Sequence, residues 1–361
     1  LERVRSDRNH LPSGVNTCST DGVTTRSPQE SFASVEAYAP PPVEPLVAVT
    51  GRRNGAVTAV DVRLRQRPGV AIAVLALGGF AVSLTHTLVL PLLPALPDLL
   101  GSSTSATSWV ATVTLLAGAV ANPVVGRLGD MYGKRRMLLV SLTLLAAGSL
   151  VGALAESLAV LLVARALQGL AIGVIPLGIS ILRDELPPDK VGGGIALVSA
   201  TLGLGGGMGL PLSGVVASTL GWHALFWILL AVSALTFALV TVVVPESPIR
   251  TPARFDLVGA IGLSATLLAL LLVISKGADW GWTGPLTLGT LGAALLVGRA
   301  WIAWEHRQAA PLVALITTLR RPVLLTNIAS VLIGFAMFCQ FLTTIDLVTL
   351  PAVTGHGFGR S

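Results

Sequence analysis

The sequence predicts an all-α polytopic membrane protein, and three observations carry that prediction. Hydrophobic residues make up 53% of the 361 positions and the mean hydropathy is +0.79, far above an ordinary soluble domain. Nine apolar runs are long enough to cross a bilayer core, which takes about 20 helical residues. Basic residues collect in alternate connectors between the runs, as they do on the cytoplasmic side of membrane proteins. Helices are the form the runs must take. Backbone polar groups in lipid have to be satisfied internally, and the ten-residue alternation of a membrane barrel is absent.

Taken in order, the runs cover residues 69–96, 106–125, 137–155, 157–181, 191–219, 223–244, 257–275, 284–303 and 323–345. The first closes on the prolines of LPLLP, the second stops at Gly126 and Arg127, and the third lies between KRR and Glu156. The fourth holds one charge, Arg165, and is followed by Arg183; the fifth follows Lys190 and is rich in glycine. The sixth ends at PESP, the seventh lies between Asp256 and Lys276, the eighth follows WGWTG, and the ninth lies between Pro322 and Asp346.

Connectors after the second, fourth, sixth and eighth runs carry Arg127, Lys134, Arg135, Arg136, Arg183, Lys190, Arg250, Arg254, Arg307, Arg320 and Arg321. The opposite connectors carry only Lys276, and Arg63, Arg65 and Arg67 precede the first run. The expectation is a multi-pass protein of the cell (inner) membrane with its N-terminus in the cytoplasm. Topology accounts for the basic pI near 10.1. A nucleic-acid partner is not expected, because the charges are spread over short connectors and form no groove with interleaved aromatics.

Residues 1–66 are a different material, with APPPVEP at 39–45, many Ser and Thr and no apolar periodicity. They read as a disordered cytoplasmic tail. The chain opens on Leu1 and its first Met is Met131, which points to a misplaced start for part of this tail. Cys18 and Cys339 offer neither a disulfide framework nor metal-ligand spacing, so no metal and no cofactor are expected. No Ser/His/Asp, HExxH or CxxC arrangement and no phosphate loop are present. The protein is not expected to be an enzyme, and its energy would come from an ion gradient.

Four places stand out from the plain apolar runs. GRLGDMYGKRR at 126–136 reads as a tight connector in which Gly126, Gly129 and Gly133 permit positive φ and close helix approach. Asp130 can pair with the surrounding basic groups or face a helix N-terminus as a latch; the alternative is a purely topogenic basic connector. Arg165 sits inside the fourth run, where a charge costs at least about 2.5–3.5 kcal/mol, and must face the bundle interior or a wet cavity. Snorkelling is the alternative. In GLGGGMGLPLSG at 203–214 two interleaved GxxxG spacings let a second helix approach, and Pro211 interrupts the hydrogen-bond ladder. His86, within the first run, is a proton-carrier candidate because histidine is the side chain whose ordinary pKa lies near neutral pH; a His bonded to a neighbouring helix would look the same.

GRLGDMYGKRR resembles the connector between helices two and three of the major facilitator superfamily, matching at Gly126, Leu128, Asp130, Gly133, Lys134 and Arg135. TSWVATVTLL at 107–116, ARALQGLAIG at 164–173 and GLGGGMGLPLSG follow in the superfamily's order. FDLVGAIGLSATLLALLL at 255–272, DWGW at 279–282, EHRQAAPLV at 305–313 and LPAVTGHGFGRS at 350–361 are similar to the fourteen-helix drug:proton antiporters. The resemblance covers about residues 69–361.

The resemblance implies a major facilitator fold: an N-terminal six-helix bundle at 67–248, two added helices at 249–321 and the first helix of a C-terminal bundle at 322–361. That bundle would be incomplete, the chain stopping where a tenth span is due. It implies a cytoplasmic gate at the GRLGDMYGKRR residues, and proton coupling through Arg165 with Gln168 and Gly169. Gly205, Gly209, Pro211 and Gly214 would form the helix-five antiporter motif, although Leu210 and Val215 stand where that pattern has Gly. Thr85 stands where the family has an acidic residue, leaving His86, Asp346 or Glu156 as substitutes. The implied function is proton-coupled efflux of small lipophilic or drug-like compounds, with substrate, protons and membrane lipids as partners and the oligomeric state open. A metabolite exporter of the same fold and a non-transporting half protein are the alternatives.

Overall fold

The structure, a computed structural model, describes residues 68–247, 255–308 and 311–349. The expected tail 1–66 and the closing segment 350–361 lie outside the described residues, as does part of the connector between the sixth and seventh runs. Among the described residues the regular structure is helical.

Eight helical segments are long and apolar enough to cross a membrane. They are span one (Pro68–Leu92), two (Thr104–Tyr132), three (Lys134–Ala153), four (Leu158–Glu185), five (Pro188–Leu220), six (His223–Val243), seven (Leu257–Trp280) and eight (Pro285–Glu305). A final helix, Arg321–Thr349, covers the ninth predicted run.

Helix ends depart from the apolar limits where polar residues are good helix formers. The α-helix of span two runs from Trp109 to Tyr132 and that of span three begins at Lys134, so Gly133 alone separates them. The expected connector at 126–136 is therefore a one-residue break, because Arg, Leu, Asp and Met extend a helix beyond the bilayer at little cost. Span seven likewise continues past Ser275, which puts Lys276 within a helix instead of a connector. Span one ends earlier than expected. Its α-helix stops at Thr87 and gives way to a 3-10 turn at Leu90–Leu92, since Pro91 and Pro94 supply no backbone donor. In span four a 3-10 turn at Ala171–Gly173 joins two α-helices, Leu158–Leu170 and Val174–Glu185. Pro176 cannot donate to the carbonyl of Ile172, which favours this local tightening.

Spans one to six pack as a bundle in which one lies against five, six and the second half of four, while six lies against three, three against four, and four against two. Span seven lies against span two, and span eight against span seven. Two apolar cores fill the bundle. One, toward the Gly133 end, is built on Val74, Leu138, Leu142, Val174, Leu177 and Val240; the other, toward the opposite end, on Leu84, Leu88, Leu161, Leu225, Phe226 and Leu229. Since lipid tails are as apolar as Leu, these contacts are held by close packing and by hydrogen bonds between helices.

Candidate functional site

Arg165 is 2% exposed and joins three helices from the middle of the bundle. Its Nη1 donates to the carbonyl of Thr85 in span one at 2.9 Å and to Oε1 of Gln168 at 2.7 Å, and its Nε donates to the carbonyl of Val110 in span two at 3.3 Å. Gln168, one turn on in span four, passes the connection to span three by donating to Ser149 Oγ at 3.1 Å, and Ser149 donates to the carbonyl of Leu145 at 2.7 Å. Among the described residues every acceptor of the guanidinium is neutral. A buried charge held by dipoles and no carboxylate keeps its full positive field, so it favours an anionic or electron-rich group nearby and repels a second cation.

That field faces a cavity of about 350 Å³ lined by His86, Thr87, Leu90, Leu93, Ala111, Leu115 and Arg165, with Gly334 and Met337 of the final helix. Among the described residues the wall is apolar except at His86, Thr87 and Arg165. His86 makes no hydrogen bond with a described residue, so the reading in which it is bonded to a neighbouring helix is not what the structure shows. Thr85 points away, its hydroxyl bonded to the carbonyl of Ala81 at 2.9 Å. Gly169 lies where spans two and four touch: a Cβ there would meet Ala117 Cβ at 2.8 Å and the carbonyl of Thr114 closer still.

At the Gly133 end a second cluster forms around the break between spans two and three. Gly133 has φ 111°, open to glycine alone without strain, and the Glu246 carboxylate occupies the space a Cβ would need. Glu246 Oε1 accepts from the backbone N–H of Arg135 at 3.2 Å, so an acid from the end of span six caps the N-terminus of span three. Lys134 Nζ lies 2.6 Å from Asp184 Oδ2 at the end of span four, and Ser247 Oγ donates to the same oxygen at 2.6 Å. The Arg135 side chain donates to the carbonyl of Thr241 at 2.6 Å.

Asp130 is outside this cluster. It is exposed and makes no hydrogen bond or ion pair with a described residue, so the expected pairing with the neighbouring basic groups is absent. Gly126 and Gly129 are helical, which corrects the expectation of positive φ; Gly129 packs against Leu177, while Gly126 has open space around it and Leu128 is half-buried.

The glycine motif of span five divides in the same way. Gly205 and Gly209 face span one, where a Cβ on Gly205 would meet Ser83 Cβ at 2.7 Å and one on Gly209 would overlap Thr87 Oγ1. Ser83 Oγ donates to the carbonyl of Leu202 at 2.6 Å, Thr87 Oγ1 to that of Gly205 at 3.2 Å, and Ser213 Oγ to that of Leu88 at 2.6 Å. Gly203, Gly207 and Gly214 have nothing within 4 Å, and the helix runs on through an exposed Pro211. Among the described residues only one of the two interleaved GxxxG spacings is a helix contact.

A profile of the Major Facilitator Superfamily matches residues 75–360. The chain belongs to this superfamily. It is a multi-pass membrane protein with the superfamily's all-helical fold. A crystal structure of peptide transporter POT in complex with sulfate shares that fold, with a TM-score of 0.50, 17% identity and coverage of 66% of this chain and 53% of that one. Among curated proteins the chain is 30% identical to the tetracenomycin C resistance and export protein of Streptomyces glaucescens, over 81% of this chain and 54% of that protein. It is 30% identical to the lincomycin resistance protein of Streptomyces lincolnensis over 75% of this chain and 56% of that protein. Over 67% of this chain and 48% of that protein it is 30% identical to the probable multidrug resistance protein EmrY of Escherichia coli. The chain thus spans about half the length of the curated relatives it matches.

Within this superfamily member, sequence reasoning missed Asp184, Glu246 and Ser247. Their signal was available in outline, since ILRDE and VPESP both place acids at the end of the bundle that carries GRLGDMYGKRR. Asp346 has a side chain outside the described residues, and Glu156 is exposed in the connector after span three, away from the cavity wall.

Proposed function

We propose that the protein is a secondary active transporter: a proton-coupled antiporter that exports small lipophilic or drug-like compounds across the cytoplasmic membrane. One observation carries the reading. Among the described residues, a buried guanidinium with neutral acceptors alone and an imidazole without a hydrogen bond share the wall of an otherwise apolar cavity. Intramembrane charges held this way belong to substrate or ion pathways, and apolar walls with a few polar groups suit lipophilic ligands. The names of the relatives, two of them antibiotic resistance or export proteins and one a probable multidrug resistance protein, support the same substrate class.

In this reading residues 67–248 form the N-terminal six-helix bundle, 249–321 contribute the two added helices of the fourteen-helix type, and 322–361 begin the second bundle. Arg165, Gln168 and Gly169 serve proton coupling, with His86 as the proton carrier in place of the acid missing at Thr85. Gly126, Leu128, Asp130, Gly133, Lys134 and Arg135 act as a gate on the cytoplasmic side, anchored through Asp184 and Glu246. Gly205 and Gly209 give spans one and five a close contact beside the cavity, while Pro211 and Gly214 complete the helix-five antiporter motif on the open face of span five. The basic residues at the Gly133 end support a cytoplasmic N-terminus, and membrane lipid covers the outward apolar faces.

Everted membrane vesicles containing the full-length protein test the reading, with ethidium as the lipophilic probe and an imposed pH gradient as the drive. Arg165→Ala should insert normally and lose gradient-driven ethidium transport. Transport at the unsubstituted rate would overturn the proposal.

A further inference from the structure

Span two is held from two sides by buried cations. On one side the carbonyl of Val110 accepts from Arg165. On the other, two residues earlier in the chain, Ser108 Oγ accepts from Lys276 Nζ at 2.7 Å. Lys276 is 3% exposed, its ammonium lies 5.1 Å from the ring centroid of Trp109, and its third partner is Asp279 Oδ2 at 3.0 Å. One turn further along the same face, Thr112 Oγ1 and Ser275 Oγ lie 3.1 Å apart. Thr112 also donates to the carbonyl of Ser108 at 3.2 Å, so the two polar contacts are tied together within span two.

An ammonium taken out of water at the edge of a bilayer is costly and persists where its donors are satisfied. Here a hydroxyl, a carboxylate and an aromatic face do so together, and two of the three come from span two. A topogenic lysine needs none of them and would extend to the interface. Ala111 and Leu115, on the adjoining face of span two, line the cavity.

We infer that Lys276 is a positioning residue that fastens the added spans seven and eight to span two, so that these spans move as one body with the wall of the cavity. The motion rests on the efflux reading; the fastening does not.

The test uses the full-length protein with Cys18→Ser and Cys339→Ser, carrying Thr112→Cys and Ser275→Cys. Oxidative crosslinking is read with and without an imposed pH gradient, and ethidium efflux is read before crosslinking, after it, and after reduction. The expected result is equal crosslinking in both conditions and efflux that survives it. Adding Lys276→Met should cut the crosslinking rate by about fivefold, the effect of one lost buried hydrogen bond on a docking equilibrium. Crosslinking in one condition only, efflux lost on crosslinking and restored by reduction, or an unchanged rate with Lys276→Met each overturns the inference. Absent efflux before crosslinking counts against the efflux reading instead, and the crosslinking rate with and without Lys276→Met still decides whether Lys276 is the fastener.

Discussion

The ammonium of Lys134 and the carboxylate of Asp184 meet at 2.6 Å, with both side chains about nine-tenths buried. Removing either leaves the other without its counter-charge in a nearly dry site. Lys134→Met should therefore destabilise the protein by about 3–5 kcal/mol, because Asp184 loses its cationic partner and retains only Ser247 among the described residues. Pairing it with Asp184→Leu should recover much of that loss. Thermal unfolding in detergent, read as a double-mutant cycle, measures the coupling; additive losses would show that the pair does not act as a unit.

Asp130 gives the contrasting case within the same motif. It is exposed with no described partner, so Asp130→Asn should leave unfolding within about 0.5 kcal/mol of the parent. A gate role would appear elsewhere, in the accessibility of engineered cysteines on the two sides of the membrane. Stability unchanged and accessibility also unchanged would return Asp130 to a topogenic role.

Gly133 combines a positive φ with a carboxylate in the place of a Cβ. Gly133→Ala should cost about 1–3 kcal/mol from the backbone alone and more from displacing Glu246. Glu246→Ala alone loses the cap on span three, so the effect of Gly133→Ala is read in that background, where the collision is gone and the backbone cost remains. If Gly133→Ala costs the same with and without Glu246→Ala, contact with Glu246 contributes nothing to the effect.

The spans were legible because a bilayer demands a long apolar run and few other folds supply one. Their ends were not, since Arg127, Leu128, Asp130 and Met131 continue a helix into water as readily as apolar residues continue it through lipid. Arg165 was legible as a lone charge in an apolar run. Two of its three acceptors are the carbonyls of Thr85 and Val110, and a carbonyl has no residue type to betray it. Asp184 and Glu246 stand 50 and 111 positions from the residues they bind, a pairing that only the folded bundle creates. Spacing alone gave Gly203, Gly205, Gly207 and Gly209 equal weight, because it does not say which face of span five meets span one.

That division of span five is itself testable. Gly209→Ala would press a methyl group into Thr87 Oγ1 and should cost about 1–3 kcal/mol through overpacking. Gly207→Ala and Gly214→Ala fill open space in a helix and should be neutral or stabilising by up to about 1 kcal/mol. Equal losses at all three positions, measured by thermal unfolding, would place a second helix against the open face.

His86 lines the cavity together with Arg165, beside Thr85, where the resemblance to the drug:proton antiporters leads one to expect an acid. If the imidazole carries the coupled proton, His86→Gln keeps the side chain polar and close in length but cannot take up the proton. Vesicles with this variant should exchange ethidium down its own gradient at close to the parent rate and fail to accumulate it when a pH gradient is imposed. Arg165→Ala should lose both if the guanidinium also shapes the site through Thr85, Val110 and Gln168, because its removal releases contacts to span one, span two and its own helix. The two variants thus separate a proton carrier from a structural hub. Full accumulation by His86→Gln would move the proton site away from span one, and the cavity would then have to take its drive from a group outside the described wall.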